Sequence, residues 1–120
     1  MSEFMILIRT QGDHLSELSA EQQQQHLSRV MEYIGGLMNS GKLKSAQPLA
    51  MEGVMISGTP GAFKDGPFAE TKEVIAGYFL IEAANLEEAV AIAQQNPVFL
   101  DGTEARIEVR PIKVMEGIND

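Results

Sequence analysis

Two stretches of this chain are apolar on both faces, and that restricts the folds open to it more than any other feature. From Phe4 to Thr10 the residues Phe4, Ile6 and Ile8 alternate with Met5, Leu7 and Arg9, and from Val74 to Ala84 both faces stay apolar until Glu82. A strand with one wet face would show polar residues at every second position, so both strands belong inside a sheet that is covered on its two sides. Each is followed by a helix with its own start signal. Ser19 with Gln22 three residues on forms a capping box, and Leu27, Val30, Met31, Ile34, Leu37 and Met38 recur at three- and four-residue spacing up to the stop Asn39-Ser40-Gly41. Asn85, supported by Glu88, caps the second helix, which places Leu86, Ala89, Val90 and Ala93 on one face and ends at Asn96-Pro97.

The remaining segments complete the order. Leu43 to Ser57 is extended but broken by Pro48 and Gly53, which predicts one or two short strands, and Gly58-Thr59-Pro60-Gly61 is a loop by composition. The last strand, Arg106 to Ile112, sets Ile107 and Val109 on one face against Arg106, Glu108 and Arg110 on the other. The resulting β-α-β-β-α-β order predicts an α+β, ferredoxin-like domain over residues 1–120, a four-stranded antiparallel sheet with two helices on one face. The other face then has no cover from its own chain. A second copy, packed sheet to sheet, would supply it.

A formal charge of −8 repels phosphate backbones and anionic lipid, so neither nucleic acid nor a membrane surface is an expected partner. Cysteine is absent, which removes disulfides and thiolate metal sites. The longest apolar run stops at Glu82, far short of the roughly 20 residues that span a bilayer, and Met1-Ser2-Glu3-Phe4 has no basic leader. The expectation is a soluble, cytoplasmic protein. Met31, Met38, Met51 and Met55 read as core filler.

Ionisable residues concentrate in Asp65 to Glu73, the string DGPFAETKE. Asp65-Gly66-Pro67 reads as a tight turn. Amides after Pro67 would suit an anion, Lys72 would neutralise a carboxylate or phenolate, and Asp65 or Glu70 would shuttle a proton. The plain alternative is a salt-bridge cluster on a turn. His26, one position before the apolar stripe of the first helix, reads by spacing as a solvated or helix-packing residue, and His14 as a surface residue. By parity Arg9 and Arg110 fall on the open side of the sheet, where a pair of arginines would grip an anion; the plain alternative is a solvated edge strand. No histidine pair stands at ligand spacing, and a carboxylate-only magnesium site would be weak, so no metal is expected. No nucleophile elbow, nucleotide loop or haem motif is present either.

The string DGPFAETKE, together with FMILIR near the start, the Gly41-Lys42-Leu43 corner, GYFLIEAANLEEAVAIA and the closing IEVRPI, resembles the DGPF branch of the YCII-related family over nearly the whole chain. The resemblance implies a dimeric α+β barrel and a cleft beside the signature that binds a small anionic or aromatic molecule. It also implies cofactor-free acid/base chemistry of the isomerase or lyase type, since relatives with this architecture act on ring compounds. Asp65 and His26, the latter in a segment similar to the family's HLxR-like stretch, are then the candidate catalytic residues. Arg9, Pro67, Phe68, Glu70, Lys72 and Arg110 are the candidate substrate-binding residues. The alternative implied by the same likeness is a non-catalytic regulatory or protein-interaction module linked to an extracytoplasmic-function sigma factor.

Overall fold

A computed structural model describes residues 1–67, 73–101 and 104–120. The chain runs β1 (Ser2–Gln11), α1 (Ala20–Asn39), β2 (Leu43–Pro48), β3 (Val54–Ser57), β4 (Lys64–Pro67), β5 (Glu73–Ala83), α2 (Leu86–Gln94), a 3-10 turn (Pro97–Leu100) and β6 (Ala105–Pro111). Four strands form an antiparallel sheet in the order β2-β5-β1-β6, while β3 and β4 form a separate two-stranded ribbon. The two strands expected to be bifacial, β1 and β5, are the central pair. This is the expected ferredoxin-like arrangement with one insertion, the ribbon between β2 and β5.

The helix starts follow their caps. Ser19 accepts from the Gln22 amide and the Gln22 side chain accepts from the Ser19 amide, closing the box at the head of α1. Asn85 accepts from the Glu88 amide at the head of α2. Gly41, at φ +72°, turns the chain out of α1 in the left-handed region that glycine enters without steric cost. Phe4, Ile6, Phe79, Ile81 and Ala83 on the inner face of the sheet pack against Leu37 of α1 and Ala89 and Ala93 of α2, and this is the core.

Three sequence expectations are corrected here. Asp65-Gly66-Pro67 is a strand, β4, with Asp65 opposite Ile56 and Pro67 opposite Val54; the reversal lies earlier, at Gly58 and Gly61, both in the left-handed region. The helical stripe is narrower than its spacing suggests. Val30, Ile34 and Leu37 turn inward, but Leu27, Met31 and Met38 lie on the outer flank, with Met31 62 % exposed. Of the four methionines read as core filler, Met31, Met38 and Met55 are exposed and Met51 is half-buried.

The molecule is 18 Å across its thinnest dimension, room for a sheet and one helical layer only. Among the described residues, no second layer covers the outer sheet face, which bears Met5, Leu7, Tyr78 and Leu80. None of the helices among the described residues is long and apolar enough to cross a membrane.

Candidate functional site

The loop between β1 and α1 is shaped by short polar contacts. Gly12, at φ +59°, reverses the chain, its carbonyl accepts from the Thr10 hydroxyl at 2.8 Å, and the Asp13 carbonyl accepts from the amide and hydroxyl of Ser16. The Gln23 side-chain amide donates to the carbonyls of Leu15 and Leu18, fastening the loop to the first turns of α1. These bonds carry His14 inward to a buried position beside His26.

A second device brings up the carboxylate. The Asn96 side chain accepts from the Val98 amide at 2.9 Å and Pro97 supplies a fixed first φ, so a short 3-10 turn forms and places Asp101 at its end. The His26 Nδ1 lies 2.8 Å from the Asp101 carboxylate, and the His14 Nε2 lies 3.4 Å from its Oδ2. The two rings meet edge to face, with centroids 5.9 Å apart. The His14 and Asp101 side chains are only 9 % and 1 % exposed. Burial pushes the His14 imidazole below its ordinary pKa, with the neighbouring His26 acting the same way and the Asp101 charge opposing them.

Behind this trio, between α1 and the inner face of the sheet, is a cavity of about 180 Å³. Its wall is mainly apolar, with Ile8, Val30, Ile34 and Phe79 contributing, and His14 and His26 stand on its rim. Gly77 lies in this wall because β2 passes close by: a Cβ there would sit 2.8 Å from the Gln47 carbonyl. A hydrogen bond fixing Nδ1 of His26 leaves its Nε2 as the nitrogen able to give or take a proton.

Among the described residues, those singled out from sequence fall in three places: the histidine–carboxylate centre, the β3–β4 ribbon and the outer sheet face. His26 is in this centre, and Asp65 is exposed on the β3–β4 ribbon. Pro67 ends β4, and Phe68, Glu70 and Lys72 lie outside the described residues. Arg9 and Arg110 occupy the outer sheet face as expected, but as links in a ladder of ion pairs. Arg110 is 3.7 Å from Glu108, Glu108 3.0 Å from Arg9, and Arg9 4.0 Å from Glu73, which Arg106 grips through both of its carboxylate oxygens. That ladder is on the opposite side of the sheet from the cavity. His14, expected at the surface, is buried, because the loop's internal bonds fold it under rather than letting it follow the chain outward. Asp101 was missed altogether. Its only sequence signal is the turn chemistry of Asn96-Pro97 before it, and it stands 75 residues from His26.

Known proteins give this geometry a setting. The structure superposes with a TM-score of 0.57, at 16% identity and over 98% of this chain and 99% of the other, on the 5-chloro-2-hydroxyhydroquinone dehydrochlorinase TftG from Burkholderia phenoliruptrix AC1100, solved in complex with 2,5-dihydroxybenzoquinone. That likeness is one of fold. Uncharacterized protein R00369 of Rhizobium meliloti (strain 1021) is 44% identical over 52 residues, a segment that is 40% of this chain and 38% of that protein. The match of residues 2–113 to the family model described as the YCII-related domain makes the chain a member of the YCII-related family.

Proposed function

We propose that this protein binds a small single-ring molecule in the cavity between α1 and the sheet, and that His26, held by Asp101, moves a proton on that ring without a cofactor. One observation carries the reading: a carboxylate buried to 1 % exposure holds the Nδ1 of His26 at 2.8 Å on the rim of an apolar cavity. A buried carboxylate on one ring nitrogen fixes the tautomer and orientation of the imidazole and stabilises its charged form, which is what a general base needs at the moment it takes a proton. The size agrees with a single ring, since a cavity of about 150 Å³ accommodates benzene. The ring compound named for the fold neighbour is of this class.

Chemistry of this kind is proton abstraction from, or return to, a ring carbon or hydroxyl, the step common to isomerisation and to elimination. His26 Nε2 takes the proton, Asp101 compensates the imidazolium, and the apolar wall excludes competing water. A homodimer belongs to the proposal. The apolar outer face of the sheet suits a second copy, and the Arg9–Glu108 ladder would lie at the joint.

The test is a panel of hydroxyquinones and unsaturated lactones, followed by thermal shift and by loss or isomerisation of the ring compound. Wild-type protein should be stabilised by a member of the panel and should turn it over. An Asp101→Asn variant should lower the rate by 10²-fold or more while still binding, because a neutral amide no longer supports the imidazolium. Equal turnover by wild type and variant would remove the pair from the mechanism. The second reading, a protein-interaction module, has one surface in its favour: Val54, Met55, Ile56 and Phe63 are exposed on and beside the β3–β4 ribbon. A near-stoichiometric protein partner in a pull-down, lost when Ile56 is changed to Lys, would favour it.

A further inference from the structure

The geometry points to a binding site for a divalent transition-metal ion, of the zinc class, formed by His14, His26 and Asp101. The three side chains come from the β1–α1 loop, the body of α1 and the end of the 3-10 turn, and one ligand atom of each lies within 4.8 Å of the others. Convergence of three separate segments on one buried point is not the arrangement of a solvated charge cluster.

One of the three groups also lacks what a purely structural role would give it. The His14 Nε2 is buried without a hydrogen-bond partner, although it faces the Asp101 Oδ2 at 3.4 Å; that oxygen lies closer, at 2.8 Å, to the His26 Nδ1. Buried polar atoms are nearly always satisfied. An imidazole nitrogen and a carboxylate oxygen brought face to face are bridged by a positive centre, which is either a proton or a metal ion. Two imidazoles and one carboxylate are the donors that zinc and its first-row neighbours take, whereas magnesium and calcium prefer oxygen alone.

The distances are close to those required. Ligand atoms on a tetrahedral zinc ion with bonds of about 2.0–2.1 Å are about 3.3 Å apart. His14 and Asp101 already have this separation; His26 must move back by about half an ångström, as the proton in its bond to Asp101 gives way to the ion, and the two imidazoles must close. Three protein ligands leave a fourth position open for water or another ligand. The site shares its residues with the acid/base pair but does not rest on that reading: the metal-loaded and metal-free trio are two states of one cluster. In the loaded state the His26 Nδ1 holds the ion instead of a proton.

The test uses the full chain, stripped with a chelator and returned to metal-free buffer. Titration with Co²⁺ followed by visible absorption, and with Zn²⁺ by calorimetry, should give one saturable site per chain with a tetrahedral cobalt spectrum, and Mg²⁺ should not compete. His14→Ala and Asp101→Asn, each checked for native circular dichroism, should each weaken Zn²⁺ binding by about 100-fold or more. If either variant fails to fold, His26→Ala, at the least buried of the three positions, carries the same expectation. Zn²⁺ should also raise the melting temperature of the wild type. Absence of saturable binding, or binding that all folded variants retain, overturns the site. Ring-compound binding and turnover by the chelator-stripped protein are measured in parallel, so failure of the metal site and failure of the proton-transfer reading are separate results.

Discussion

At the scale of single residues, the polar side chains buried beneath α1 decide the character of the inner face. Tyr33 donates from its hydroxyl to the Ile92 carbonyl at 2.7 Å, tying α1 to α2, and burial pushes its phenol up to about 12. The unfolded chain ionises this phenol near pH 10, while the folded chain keeps it protonated to about pH 12, so its contribution is complete below pH 10 and disappears as pH rises between those values. Tyr33→Phe should flatten the alkaline fall in stability across that window and cost about 1 kcal/mol at neutral pH, both read from urea unfolding as a function of pH. His26 shows how far residue-level reading of the sequence reaches. Its place in an HLxR-like segment marks it as a candidate, but helical spacing alone makes it a flanking residue, and nothing local announces that a carboxylate from the other end of the chain will meet it.

Elements were the most legible level, because their signals are local. The Ser19 capping box, the Asn85 cap and the Gly41 exit were written in four-residue windows, and the central strands declared themselves by apolar residues on both faces. The DGPF segment is where that logic failed. Asp, Gly and Pro carry turn preferences, yet β4 pairs with β3 across Gly66 and Asp65, since a ribbon ladder can absorb weak strand formers when the turn is provided elsewhere by Gly58 and Gly61. The β2–β5 pairing yields a test at this scale. Gly77 is opposite Pro48, and any Cβ there meets β2 backbone, which unlike a flexible side chain cannot swing aside. Gly77→Ala should destabilise the fold by about 1–3 kcal/mol in denaturant titration and weaken ring-compound binding, because the displaced strand is a wall of the cavity.

For the whole molecule, the central question is what lies over the outer sheet face. A slab 18 Å thick with Met5, Leu7, Tyr78 and Leu80 on that side leaves an apolar strip bounded by the ion-pair ladder, a pattern that suits sheet-to-sheet packing of two copies. Sedimentation equilibrium at micromolar concentration should therefore give twice the chain mass, and Leu80→Glu should give the monomer with its helical signal intact. A wild-type monomer would remove the dimer from the proposal.

The sequence by itself determined the strands of the four-stranded sheet, the two helices, their order and the ferredoxin-like class, because hydrophobic period, caps and stops act over a few residues and need no partner from afar; the family was legible through the resemblance carried by DGPFAETKE and its companion segments. Tertiary structure alone decided the site. His14 and His26 are separated by a loop whose internal hydrogen bonds set its path, and Asp101 reaches them only after the sheet has closed, so their meeting depends on packing and not on any spacing in the chain.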